Sequence, residues 1–180
     1  MKFSNISLGE NVEIDPSTSF NNVTIRSNVR IARRCSIFGG PENPVEIHDS
    51  CYVGMNTILN GFADKIVIGA HVSIAQNVNM MVDSGPNAST VMQVLFPLEK
   101  GPIEIGKHSW IGASAIIMPG VTLGQYCIVA ANSYVNTSFP DYSIIGGTPA
   151  KLLRLLTEEE ISKLQEAEEK NKGESDHSKA

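Results

Sequence analysis

The stretch Ile105–Val135, IGKHSWIGASAIIMPGVTLGQYCIVAANSYV, sets the fold. Ile105, Ile111, Ile117, Leu123, Val129 and Val135 fall on every sixth position without a slip. Six matches neither the 3.6-residue period of a helix nor the two-residue period of a strand. Working outward, the same beat recurs in sets of three: Leu8, Ile14, Phe20; Ile25, Ile31, Ile37; Ile47, Val53, Leu59; Ile68, Ile74, Met80. Short repeats of this kind mark a parallel β-helix. Each hexad makes one strand and one turn, and three hexads complete a circuit with the aliphatic residue pointing inward. The spacing between sets is usually longer than six, so loops leave at one corner. Glycine often follows the aliphatic residue (Gly9, Gly54, Gly69, Gly106, Gly112, Gly124), as expected of a turn with unusual backbone angles.

The fifth position of each hexad is expected to be small and to share the interior. Cys35, Cys51 and Cys127 each follow the aliphatic residue by four, so they read as small buried hydrophobes. Past Pro140 the beat stops. Thr157 and Glu160 match a capping box, and Ile161 and Leu164 give the following helix an apolar side. The expected organisation is all-β: a single-stranded parallel β-helix over residues 1–154 with an excursion loop at 82–102. A C-terminal α-helix over 155–170 and a disordered tail at 171–180 complete it.

Charge is concentrated at the end of the chain: residues 157–180 carry −4 of the net −5. The near-neutral body lacks the basic face that nucleic acid requires. The first ten residues, MKFSNISLGE, hold no apolar leader. No apolar run reaches the roughly 18 residues that span a bilayer. A cytoplasmic protein without membrane insertion is therefore expected.

The motifs WIGASAIIMPGVTLG, AANSYV and FPDYSIIGGTPAKLLR closely resemble the hexapeptide-repeat acyltransferases of sugars and xenobiotics. The resemblance is strong over 68–154 and rests on the period alone over 1–60. It implies a left-handed coil, a homotrimer and acetyl-CoA as co-substrate, held along the coils at a subunit interface. It implies further that Ala113 and Ala131 line the pantetheine channel. Gly147 and Pro149 would form the turn at the adenosine end, with Lys151 and Arg154 meeting phosphates. Trp110 would lie near the thioester. The acceptor implied is a sugar or nucleotide-sugar, through a hydroxyl or an amino group.

The family carries a catalytic histidine in the excursion loop. Here the matching stretch, residues 82–87, is Val-Asp-Ser-Gly-Pro-Asn. Three explanations stand. Another group is the base, with Asp83 the candidate; the acceptor is an amine, needing position more than a base; or the protein is a weak or inactive relative. Ser84 and Asn87 are candidate acceptor contacts. His71 and His108 each follow an aliphatic residue by three, which predicts that they stack ~4.8 Å apart at a corner. That makes His108 a second candidate base, with exposed turn residues as the plain reading. A γ-carbonic-anhydrase-like zinc site needs a third histidine, which the pattern does not supply, so no metal is expected. A catalytically silent β-helix is the remaining alternative. Arg26, Arg30, Arg33 and Arg34 form a basic group in the second circuit, suited to an anionic acceptor or to a plain solvated face.

Overall fold

The columns that the sixfold beat predicts are the core of the structure. In a computed structural model, which describes residues 5–177 and side chains through residue 170, the chain winds through six coils of a left-handed parallel β-helix. Leu8, Ile25, Ile47, Ile68, Ile105 and Leu123 lie in register on the first face. Ile14, Ile31, Val53, Ile74, Ile111 and Val129 do so on the second. Phe20, Ile37, Leu59, Met80, Ile117 and Val135 form the third. From the second coil onward every one of these side chains is at most 2% exposed. Leu8 is 49% exposed, because no described strand lies beyond its own on that side.

The fifth slot is filled as size demands. Val29, Cys35, Cys51, Thr57, Val72, Ser109, Ala115, Cys127 and Ser133 are all buried there. Its polar members reach carbonyls of a neighbouring stretch of coil: Thr18 Oγ1 to Ala32 (2.7 Å), Ser109 Oγ to Gly124 (3.1 Å), Cys51 Sγ to Gly69 (3.0 Å). The three cysteines are free thiols, and burial pushes each thiol pKa up.

The reason expected for the corner glycines is corrected. The left-handed backbone falls two residues later, at Asn28, Asn56, Asn77, Asn132, His71, His108 and Tyr126. Asparagine is the side chain that tolerates this region best after glycine. The glycine itself answers to close approach: a Cβ on Gly106 would lie 2.4 Å from the backbone of Gly124 and Gln125 in the next coil.

The second face continues past the sixth coil. Ser143–Gly147 adds a parallel strand beside Ile128–Val129, placing buried Ile145 on the column. Ala150–Leu155 then returns antiparallel and ends that sheet. The one α-helix among the described residues, α1, spans Glu158–His177. It starts later than the expected 155 because Leu155 belongs to the strand. It runs beyond residue 170, through a stretch that holds no proline to stop it. Residues 178–180 of the expected tail lie outside the described residues.

The capping box closes α1 in both directions, with Glu160 N donating to Thr157 Oγ1 (3.2 Å) and Thr157 N to Glu160 Oε2 (2.8 Å). Arg154 also grips the Glu160 carboxylate, and together these hold its pKa down at about 2 against an ordinary 4.5. A depressed carboxylate adds stability that is complete above its unfolded value and disappears as pH falls through its folded one. The helical signal at 222 nm is therefore expected to persist to about pH 4.5 and to decline toward pH 2. A Glu160→Gln protein should start lower and lack this step.

Candidate active site

The edge between the second and third faces has the smallest walls in the last two coils. Gly112-Ala113 and Ala130-Ala131 turn this corner one above the other, with Asn132 N donating to Ala113 O at 2.9 Å. The turn of the terminal hairpin folds against the same edge. Gly147 N donates to Ser133 Oγ (3.3 Å), and Thr148 Oγ1 donates to Asn132 O (3.3 Å). Gly147 needs its lack of a side chain, since its φ is +105°. Ala113, Ala131, Gly147 and Pro149 thus come together on one edge. Lys151 stands exposed on the outer hairpin strand. Arg154 is engaged elsewhere, its guanidinium bonded to both Glu160 carboxylate oxygens at 2.7 and 2.9 Å. Trp110 is 56% exposed on the second face, between Ser73 and Ile128 in register.

The excursion leaves after buried Val82, at the corner between the third and first faces. Its base is a two-stranded ladder, Asp83–Ser84 against Glu99–Lys100, closed by Gly101 N donating to Val82 O (3.0 Å). Its far part holds a 3-10 turn at Met92–Val94. Between the excursion and the third face lies a depression of about 370 Å³, lined among others by Ser84, Leu95, Phe96, Glu99, Met118 and Tyr134. Asp83 and Asn87 do not line it. Asp83 is paired in register with Lys100, and Asn87 is exposed, its amide bonded to Gly85 O.

His108 is placed at a different corner from Asp83, between the first and second faces, so the two candidate bases do not converge. His71, His108, Tyr126 and Tyr142 form one column with ring centroids 4.7, 4.9 and 5.3 Å apart and planes within 11°. The histidine spacing matches the expected strand separation. Helix α1 fastens to this column: Tyr126 Oη donates to Glu168 Oε2 (2.5 Å), Lys107 Nζ pairs with Glu168 Oε1 (2.9 Å), and His108 Nε2 lies 3.9 Å from it. Burial first, and Glu168 next, push the Tyr126 phenol up to about 12. Parallel stacked rings direct their nitrogens side by side rather than toward one point, and the next two rings in the column are phenols. Among the described residues no group of three or more His, Cys, Asp or Glu side chains is placed to hold a metal ion.

The basic group of the second circuit is dispersed. Arg30 lies on the second face, paired with Glu13 at 3.0 Å, while Arg33 and Arg34 turn the next corner. That Glu99, Met118 and Tyr134 line one depression was not legible in the sequence. They meet only because the excursion folds back over the third face, in a register that its glycines and prolines do not announce.

Comparison with known proteins agrees with this architecture. Residues 102–137 match the family model described as bacterial transferase hexapeptide (six repeats). AntD, an N-acyltransferase from Bacillus cereus, superposes with a TM-score of 0.77 at 26% identity, over 92% of this chain and 90% of AntD. A putative acetyltransferase of Saccharomyces cerevisiae is 35% identical over 117 residues, 64% of this chain and 58% of the relative. This chain carries the transferase hexapeptide repeat and is similar to acetyltransferases that share it. Galactoside O-acetyltransferase of Escherichia coli, 28% identical over 82% of this chain and 62% of its own length, is a further relative. This hexapeptide-repeat protein spans 49 to 62% of the length of the curated relatives it matches. The AntD structure holds dTDP-4-amino-4,6-dideoxyglucose and coenzyme A. Among the described residues no helix is long and apolar enough to cross a membrane.

Proposed function

We propose that the protein is an acetyl-CoA-dependent acyltransferase acting on a sugar hydroxyl or amino group, in surface-polysaccharide or nucleotide-sugar metabolism of the cytoplasm. The observation that carries this reading is the small-walled edge at Ala113 and Ala131, with the hairpin turn Gly147–Pro149 folded against one end. A pantetheine arm is long, thin and amide-bearing. It needs a channel without bulky side chains, and exposed backbone groups to bond. Lys151 supplies a cation beside the turn for phosphate. Trp110 on the second face and Tyr134 on the third flank the edge, so an acceptor held on the third face would lie beside a thioester bound there. Transfer is direct: the acceptor attacks the thioester carbonyl, the developing oxyanion is stabilised by backbone donors, and CoA leaves as the thiol.

Assembly as a homotrimer belongs to the same reading. The excursion presents Val91 and Val94 at 78 and 80% exposure, and the terminal hairpin presents Leu153 at 63%. Exposed apolar side chains on these two elements suit contacts with neighbouring copies.

The test is release of CoA from acetyl-CoA across a panel of amino-sugars, sugars and their nucleotide forms, with the mass measured by sedimentation. Acceptor-dependent release by a species three times the chain mass is the expected result. Absence of acetyl-CoA binding would remove the enzyme reading.

A further inference from the structure

A loop that lacks histidine leaves its acceptor to be handled by something else, and the depression beneath it names the group. Building on the acyl-transfer reading, we propose that Glu99, with Ser84 and Tyr134, forms the acceptor subsite and selects an amine: Glu99 pairs with the incoming ammonium and takes the proton that nitrogen sheds during transfer.

The ladder at the base of the excursion sorts its carboxylates by side. Asp83 is the cross-strand partner of Lys100, and Ser84 is the partner of Glu99. Neighbours along a strand point to opposite faces, while cross-strand partners share one. Asp83 therefore shares its side with a lysine, whereas Glu99 shares its side with Ser84, toward the depression that both line. Among the described residues no ion pair reaches Glu99. A carboxylate without a cation beside an open depression has the complementary charge for an ammonium and none for a neutral alcohol. The rest of the lining fits a sugar ring. Ser84 and Tyr134 offer hydroxyls, while Leu95, Phe96 and Met118 offer apolar surface for a ring face.

The subsite is within reach of the donor edge. Tyr134 follows Ala131 by three residues, which limits their Cα separation to about 11 Å even in extended chain. An amine that arrives as the ammonium loses one proton to solvent and attacks as the neutral base. The C–N bond forms, the C–S bond breaks, and CoA departs as thiolate. The nitrogen's second proton passes to Glu99 and from there to the thiolate, so the products are an amide and CoA thiol. No stronger base is required, which accounts for an excursion without histidine.

The experiment uses the full chain, acetyl-CoA, and pairs of acceptors that differ only in an amino or a hydroxyl group at one carbon. Acetyl-CoA binding is followed in parallel by calorimetry. The expected result is turnover of the amino member alone. Glu99→Gln should raise the acceptor KM at least tenfold and alter the pH profile, with acetyl-CoA affinity within twofold of the parent. Glu104→Gln, an exposed carboxylate on the first face, should behave as the parent. Equal turnover of hydroxyl acceptors, or an unchanged acceptor KM in Glu99→Gln, overturns the assignment while leaving acyl transfer standing. So does an equivalent loss found in Asp83→Asn but not in Glu99→Gln. Failure of the parent protein to bind acetyl-CoA overturns the underlying reading as well.

Discussion

Replacing Ile111 by aspartate is expected to abolish folding. Ile111 is fully buried at the centre of the second-face column, with Ile74 on one side and Val129 on the other. The substitution removes an aliphatic contact and places a carboxyl group where no partner can reach it. Losing the apolar side chain costs about 2–5 kcal/mol on the scale of isoleucine-to-alanine changes. Burying an unpaired charge adds several kcal/mol more. A domain with a total stability of about 5–15 kcal/mol does not survive that sum. A solenoid transmits the loss, because each coil is held only by its neighbours. Ile111→Val should fold and lose about 1 kcal/mol. Urea titration followed by circular dichroism separates the two. A cooperative transition for the aspartate protein near that of the parent would contradict the closed prism.

Ala113→Trp is the largest expected effect on function. Ala113 is half-buried at the edge between two faces, so an indole there projects along the surface rather than into the core. The melting temperature should stay within about 3 °C of the parent, as for a surface substitution. The same indole would cover the small-walled edge proposed to hold the pantetheine arm, and acetyl-CoA binding should weaken at least a hundredfold, or about 2.7 kcal/mol. Calorimetry on the folded variant reads this directly. Unchanged affinity would mean that the co-substrate lies along another edge.

The columns were legible because one residue type recurs at a fixed interval and has one place to go. The hexads alone place Ile105, Ile111 and Ile117 on three different faces, and Cys35, Cys51 and Cys127 in one slot. Corner chemistry was harder to read. Gly106 looked like a conformational requirement and is a steric one, since the tight approach comes from a coil 18 residues away. That Gly147 and Pro149 lie on the edge of Ala113 and Ala131 follows from the hairpin turn bonding to Ser133 and Asn132, contacts the motif does not spell out. Arg154 carried no signal of its pairing, for its partner Glu160 belongs to α1 and competes for it. The proposed acceptor side was the least legible. Glu99 gains its meaning from a cross-strand register with Ser84 that only tertiary structure fixes.

The junctions from third face to first vary from five residues, between Phe20 and Ile25, to 25, between Met80 and Ile105, whereas within each set the interval is six throughout. Two edges of the prism are therefore closed to insertion, since one added residue there would throw an inward side chain outward. The remaining edge is a seam along which foreign segments can be spliced without retuning the scaffold. New specificities can thus be acquired by cargo at the seam, leaving the stacked interior untouched.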